Sequence, residues 1–245
     1  MSDTSLIIHG VPFSQPVRAV IWLLLMKEQP FKLNMINPGS KGASGSRSTE
    51  FLAKNPGGTI PTLEETDTGF TLGEANAIMT YLSRKHGWTD VYPQDNQTRA
   101  QVEWYLHYHH RNVRDASTGL VAPMVRKDLN IPELMQQSAL RNLQNALKTL
   151  ENGQLSKHRY IVGDNVTLAD LAAYVEIGQL KPEFTNLFDF SDYPLIQRWL
   201  NDMAAVKGHD ASHVVMKEMG DISREAPTME RIINANKLAM AALKN

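Results

Sequence analysis

The spacing of apolar residues changes character about one third of the way along the chain. Before that point, short apolar runs alternate with amphipathic stretches. Residues 5–9 read as a strand and residues 31–36 as a second. Between them Val17, Val20, Ile21, Leu24 and Leu25 recur at three–four spacing. A helix is therefore expected over residues 16–29, with Pro16 in its first turn and Ser14 before it. A Gly/Ser stretch, residues 38–48, leads into a short helix ending near Asn55. Residues 62–64 and 70–72 flank Asp67-Thr68-Gly69 as a hairpin, and residues 74–86 carry a third helical pattern. The order β-α-β-α-β-β-α predicts a mixed sheet with helices on its faces.

Residues 89–97, with Pro93 and polar neighbours, read as a linker. Beyond them every strong pattern is helical: Val102, Leu106, His109 and Val113; Leu140, Leu143, Leu147 and Leu150; Ile196, Trp199, Leu200 and Met203. The tail, residues 228–243, places Ile232, Ile233, Met240 and Leu243 on one side. Val166-Thr167-Leu168-Ala169-Asp170-Leu171 is a capping box, in which Asp170 reaches back to the Thr167 N–H. The expected division is an α/β domain over residues 1–88, the linker, and an all-helical domain over residues 98–245.

Composition narrows the chemistry. The chain of 245 residues has a formal net charge of −1 and no long basic run, so it lacks an electrostatic footprint for nucleic acid. Its longest apolar run, residues 19–26, falls short of the ~20 residues that cross a bilayer. The start, Met-Ser-Asp-Thr-Ser, has no basic segment ahead of an apolar one, so a cytoplasmic location is expected. With no cysteine, disulfides and thiolate chemistry of the protein's own are excluded. His107, His110, Arg111 and Arg114 share a helical face, but no carboxylate joins them at ligand spacing, so no metal site is expected. By spacing alone Ser14 reads as a helix cap, Glu74 as an acid at a helix start and Arg47 as a loop cation.

Four motifs stand in a fixed order: Ser14-Gln15-Pro16-Val17-Arg18, Asn55-Pro56-Gly57-Gly58-Thr59-Ile60-Pro61-Thr62, Gly73-Glu74-Ala75 with Tyr81-Leu82, and the capping box. Together they resemble the glutathione transferase superfamily over nearly the whole chain, and Ser-Gln-Pro with Tyr92-Pro93-Gln94-Asp95 resembles its theta-like, serine-type cytosolic class. The resemblance implies a thioredoxin-like domain followed by a helical bundle, conjugation of glutathione to a small electrophile with glutathione as co-substrate and no cofactor, and a homodimer. It further implies that the Ser14 hydroxyl holds the thiolate. Gln15, Arg47, Ile60, Pro61, Glu74 and Ala75 would bind glutathione, with Ile60–Pro61 in the cis form, and Arg111 and Arg114 would stand at the electrophile pocket. Arg18 would hold the domain together. Apolar stripes on the third and fourth helices, at Val102 and Leu106, would supply the dimer interface. The chain departs from the family at Ala75, where a hydroxyl is usual, and at Ser46 and Arg111. These departures keep open a rival reading, a transferase fold that binds glutathione or apolar ligands without catalysis.

Overall fold

Four strands and eleven α-helices, with shorter helical turns between them, follow one another over the described residues, 5–243, of this computed structural model. First come β1 (Leu6–Gly10), α1 (Gln15–Met26), β2 (Lys32–Met35), α2 (Thr49–Lys54), β3 (Thr62–Glu65), β4 (Phe70–Gly73) and α3 (Ala75–Lys85). All-helical structure follows: α4 (Asn96–Asn112), a π-helical turn (Ser117–Val121), α5 (Ala122–Val125), α6 (Glu133–Thr149), α7 (Leu168–Ile177), α8 (Pro194–Ala204), α9 (His209–Ser212), α10 (Val214–Met219) and α11 (Met229–Ala242). No helix among them is long and apolar enough to cross a membrane.

The sheet order is β2-β1-β3-β4. β1 runs parallel to β2, with Ile8 opposite Leu33, and antiparallel to β3, with Ile8 opposite Leu63. β3 and β4 form the expected hairpin, with Leu63 opposite Leu72. This is the mixed sheet of a thioredoxin-like domain, and Ile8 and Leu63 are fully buried in its core.

α1 joins the two parts of the molecule. It packs against both α3 and α7. Val17, Val20, Ile21, Trp22, Leu23 and Leu24 are each at most 1% exposed, which explains why its apolar pattern runs around the helix. Each such side chain stabilises the fold by roughly 1.5–3 kcal/mol. Arg18 is fully buried in the same helix. Its guanidinium donates to the carbonyls of Phe13 (2.6 Å) and Val175 (3.1 Å), so it bonds the start of α1 to α7. Gly10 sets the approach of β1 to this helix: a Cβ there would stand 2.6 Å from Val17 Cγ2.

Several boundaries differ from the sequence reading. α4 starts at Asn96, inside the stretch read as linker, because the Asp95 carboxylate accepts the Thr98 N–H (2.8 Å) and caps it. α4 ends at Asn112 because the His109 carbonyl receives both the Val113 and the Arg114 N–H, which turns the chain out of the helix. The π-helical turn and α5 that follow carried no sequence signal. Val102 and Leu106 are buried within the chain, at 0% and 4% exposure, so the stripe expected to form a dimer interface is instead core. The capping box forms: the Asp170 carboxylate accepts the N–H groups of Thr167 and Ile161 and the indole N–H of Trp199, at 2.9 to 3.0 Å. In α11 the core-facing positions are Ala235 and Ala239, while Ile232, Ile233 and Met240 face a cavity that the buried Asn236 also lines. Small residues admit the close approach of α11 to the protein, and the large ones are left to line open space.

Candidate active site

The chain leaves β1 at Gly10, turns through residues 11–13 and starts α1 immediately after Ser14. The Ser14 N–H donates to Val11 (3.0 Å) and its carbonyl accepts the Arg18 N–H (2.9 Å). Its side chain makes no capping hydrogen bond. Three other caps behave differently. Ser48, Asp95 and Thr228 each accept an N–H of their own helix, from Phe51, Thr98 and Arg231. Ser14 lines a cavity of about 1280 Å³. The N-terminal turn of α1 adds partial positive charge beside it, so the position favours an anion.

Three walls enclose that cavity. The first carries Ser14, Gln15, Arg47 and the turn from Gly58 to Ile60. The second carries Arg114, Val121, Val125 and Leu129, from the segment that follows α4. The third is α11, through Ile232, Asn236, Lys237 and Met240. One direct bond ties the third wall to the first: the Phe13 N–H donates to Asn236 Oδ1 (3.0 Å), next to Ser14 in the chain. Asn236 is 9% exposed and Phe13 half-buried, so this bond is partly shielded from water.

A smaller cavity of about 240 Å³ adjoins the first and shares Thr59, Ile60 and Arg114 with it. Pro61, Glu74, Ala75, His109 and Glu176 also line it. The Ile60–Pro61 bond is cis. Asn55 organises the turn that precedes it. Its amide nitrogen donates to the Thr59 carbonyl (3.0 Å) and Thr62 Oγ1 (2.9 Å), and its oxygen accepts the Gly57 N–H (3.0 Å). Glu74 occupies the cap of α3 at φ 66°, a left-handed conformation that costs a non-glycine residue roughly 1–3 kcal/mol. Its side chain is exposed and forms no cap bond. Beside it the first N–H groups of α3, including that of Ala75, have no partner within the helix.

A chain of polar side chains runs along both cavities. Arg114 forms an ion pair with Glu176 of α7 (2.6 Å), and Glu176 also accepts from the Ser117 hydroxyl. Burial pushes the Glu176 carboxyl up, while Arg114 and the Ser117 hydroxyl pull it back. The Gln179 amide donates to Ser117 Oγ (2.7 Å), and Gln15 donates to Gln179 Oε1 (2.8 Å). Gln15 therefore lines the larger cavity but directs its amide nitrogen into the helical part of the molecule.

Ser14, Gln15, Arg47, Ile60 and Arg114 meet at the larger cavity, and Pro61, Glu74 and Ala75 at the smaller one. Arg111 corrects the sequence reading. It is exposed and lines neither cavity. Residues 111 and 114 share a face only on a continuous helix, and the turn after Asn112 separates them. Ser46 is buried and accepts the Gly39 N–H (2.9 Å), which fixes the loop carrying Arg47. Sequence reasoning missed Asn236, Glu176 and Gln179. Each acts across more than fifty residues of chain, a separation that leaves no local signal.

Comparison with known proteins is consistent over both parts of the chain. The glutathione S-transferase N-terminal domain family matches residues 8–91, and the glutathione S-transferase C-terminal domain family matches residues 113–206. Mouse glutathione S-transferase theta-3 is 32% identical over 214 residues, covering 83% of this chain and 86% of that protein. Human glutathione S-transferase theta-1 is 30% identical over 236 residues, covering 93% and 95%. The crystal structure of human glutathione transferase theta-2, complexed with glutathione and an unknown ligand, superposes with a TM-score of 0.74. It is 27% identical and covers 96% of this chain and 98% of that one. An epsilon-class glutathione S-transferase from housefly gives a TM-score of 0.71 at 26% identity, covering 98% and 97%.

Proposed function

Because the chain belongs to the glutathione S-transferase family, we propose that it conjugates glutathione to small electrophiles and that the Ser14 hydroxyl holds the reacting sulfur as a thiolate. Glutathione is a co-substrate, and the reaction needs no cofactor. The observation that carries the role of Ser14 is the contrast among helix caps: its side chain makes no cap bond and the residue lines the cavity, whereas Ser48, Asp95 and Thr228 each accept an N–H of their own helix.

In this reading the extended tripeptide lies along the turn before β3 and pairs with the backbone of Ile60. Glu74 takes the γ-glutamyl ammonium and the first N–H groups of α3 take its carboxylate. Arg47 takes the glycine carboxylate. Gln15 holds the α1 start against Gln179, which keeps Ser14 in place. The Ser14 O–H donates to sulfur, and the positive end of α1 adds to the field there. Both stabilise thiolate over thiol. The sulfur then attacks an electrophilic carbon, forming the S–C bond as the leaving group departs with the bonding electrons. A hydroperoxide is a second acceptor. Attack on its terminal oxygen would give an alcohol and glutathione sulfenic acid, which a second glutathione converts to disulfide and water.

The enzyme works as a cytoplasmic detoxifying homodimer in this proposal. With Val102 and Leu106 in the core, the contact falls to the outer face of α4, where exposed Trp104 stacks on Tyr108 at 5.2 Å. A sedimentation mass near the 27.5 kDa of one chain at micromolar concentration would refute the dimer.

The test of Ser14 is the ultraviolet absorbance of the bound thiolate against pH. A free thiol of this kind titrates at about 8.5. Glutathione bound to the wild type should titrate lower, and Ser14→Ala should move the curve back up with little change in affinity. Coincident curves with equal activity would leave Ser14 as a helix start and nothing more.

A further inference from the structure

The charges around the larger cavity are of one sign. Arg47, Arg114, Arg126 and Lys237 line it, and no Asp or Glu of the described residues does. Its walls are otherwise largely apolar, with Val121, Val125, Leu129, Ile232, Ile233 and Met240 facing inward. A cleft of low-polarity walls and single-sign charge concentrates its potential and draws in ligands of the opposite sign. At about 1280 Å³ it also exceeds the roughly 300–1,000 Å³ of an ordinary ligand pocket, so it has room for a second ligand beside glutathione.

Three of the four cations are already assigned. Arg114 pairs with Glu176 at 2.6 Å. Arg126 is held in two bonds by Asp128, at 2.8 and 2.7 Å. Arg47 meets the glycine carboxylate in the function proposed above. Bound glutathione thiolate has two other anionic groups, and the N-terminal turns of α3 and α1 receive them. Lys237 remains, with no carboxylate within salt-bridge distance among the described residues. Its backbone is anchored, because Asn236 beside it accepts the Phe13 N–H at 3.0 Å. α11 thus carries an exposed, uncommitted ammonium on the cavity wall, next to the apolar side chains of Ile232, Ile233 and Met240.

We propose that the preferred electrophile is an apolar molecule bearing an anionic group, a carboxylate being the simplest, which Lys237 binds while the apolar body lies along α11 and the Val121–Leu129 wall. This inference rests on the transferase reading and names the substrate class of the same site. The glutathione thiolate attacks the apolar end, and the anion stays at α11. Lys237 is a specificity residue in this arrangement, since it touches the substrate but not the reacting atoms.

The experiment compares two acceptors that share one reacting group. One is 4-phenyl-3-buten-2-one carrying a 2-carboxyethyl group para on the ring, and the other is its methyl ester. In both, the sulfur bonds to the β-carbon, the alkene π electrons pass to the carbonyl, and the α-carbon takes a proton from water. The readout is the acid-to-ester ratio of kcat/KM at saturating glutathione. Wild type should favour the acid by about fivefold, the upper end for an exposed ion pair, and added salt should shrink the preference. Lys237→Glu should bring the ratio to one or below, and Lys237→Arg should preserve it. As a readout independent of turnover, 4-phenylbutanoate should bind the complex with S-methylglutathione more tightly than its methyl ester does, and Lys237→Glu should abolish the difference by calorimetry. A wild-type ratio near one, or one that Lys237→Glu leaves unchanged, overturns the proposal while conjugation stands. Conjugation of neither acceptor or any other electrophile, with glutathione bound, overturns the transferase reading and this inference with it.

Discussion

Ser14 and Glu74 both precede a helix, and neither caps it in the ordinary way. At Ser14 the backbone is extended, φ −69° and ψ 126°, as at a capping residue, yet the side chain makes no cap bond and the residue lines the cavity. At Glu74 the backbone itself is strained, at φ 66°. Strain of roughly 1–3 kcal/mol persists only where surrounding structure imposes it. Here the carboxylate is thereby presented beside Ala75, at the smaller cavity. Glu74→Gln keeps the shape and removes the charge. It should weaken glutathione binding by about 1.5–3 kcal/mol, the range for a hydrogen bond to a charged group, and leave the fold intact. Calorimetric titration decides: unaltered affinity would mean that Glu74 only begins α3.

At the scale of elements, α11 is the wall most open to change. It packs against α10 and α9 through Ala235, Asn236 and Ala239, and the Asn236–Phe13 bond joins it to the segment before Ser14. Asn236→Ala would leave the Phe13 N–H without a protein partner. A fully buried donor left unsatisfied costs about 1–3 kcal/mol; this one is partly buried, so the lower end applies, enough to loosen α11 without unfolding the protein. The expected result is faster hydrogen exchange across residues 229–242 and a several-fold rise in KM for the electrophile. The titration of bound glutathione should stay put, since Ser14 keeps its own backbone bonds to Val11 and Arg18. Wild-type exchange in the variant would show that packing alone holds α11.

The whole molecule carries a built-in sensitivity to acid. His109 is buried between α4 and the smaller cavity, and burial pushes it down to about 3, helped by His110 and Arg114. His213 is fully buried and lies well below its ordinary 6.5 because of burial, Arg18 and His209, despite a bond to the His209 carbonyl. In both, the folded state holds the neutral ring while the unfolded chain takes up a proton near pH 6.5. Their contribution is complete above that pH and declines as pH falls toward the folded values, at up to about 1.4 kcal/mol per pH unit for each ring. Denaturant midpoints should therefore drop between pH 6.5 and 5. His109→Gln should flatten that slope, whatever it does to stability at pH 8. An equal slope in the variant would assign the acid sensitivity to other groups.

Local chemistry made much of this protein legible before any fold was known. The strand and helix order followed from apolar spacing, and Thr167 and Asp170 announced their cap because its bonds span only three residues. Ser14, Ile60 and Glu74 could be picked out because each sits in a short motif. Tertiary structure decided what depends on contacts between distant segments. It buried Val102 and Leu106, which periodicity left free to face a partner, and it broke the shared face of Arg111 and Arg114 by ending α4 at Asn112. It also turned the small face of α11 inward, so that Asn236 reaches Phe13 across 223 residues and Lys237 stands on the cavity wall. Periodicity records which residues share a face of one helix. Which neighbour that face meets, and whether a hydroxyl caps its own helix or looks into a cavity, is set by segments packed against it from elsewhere in the chain.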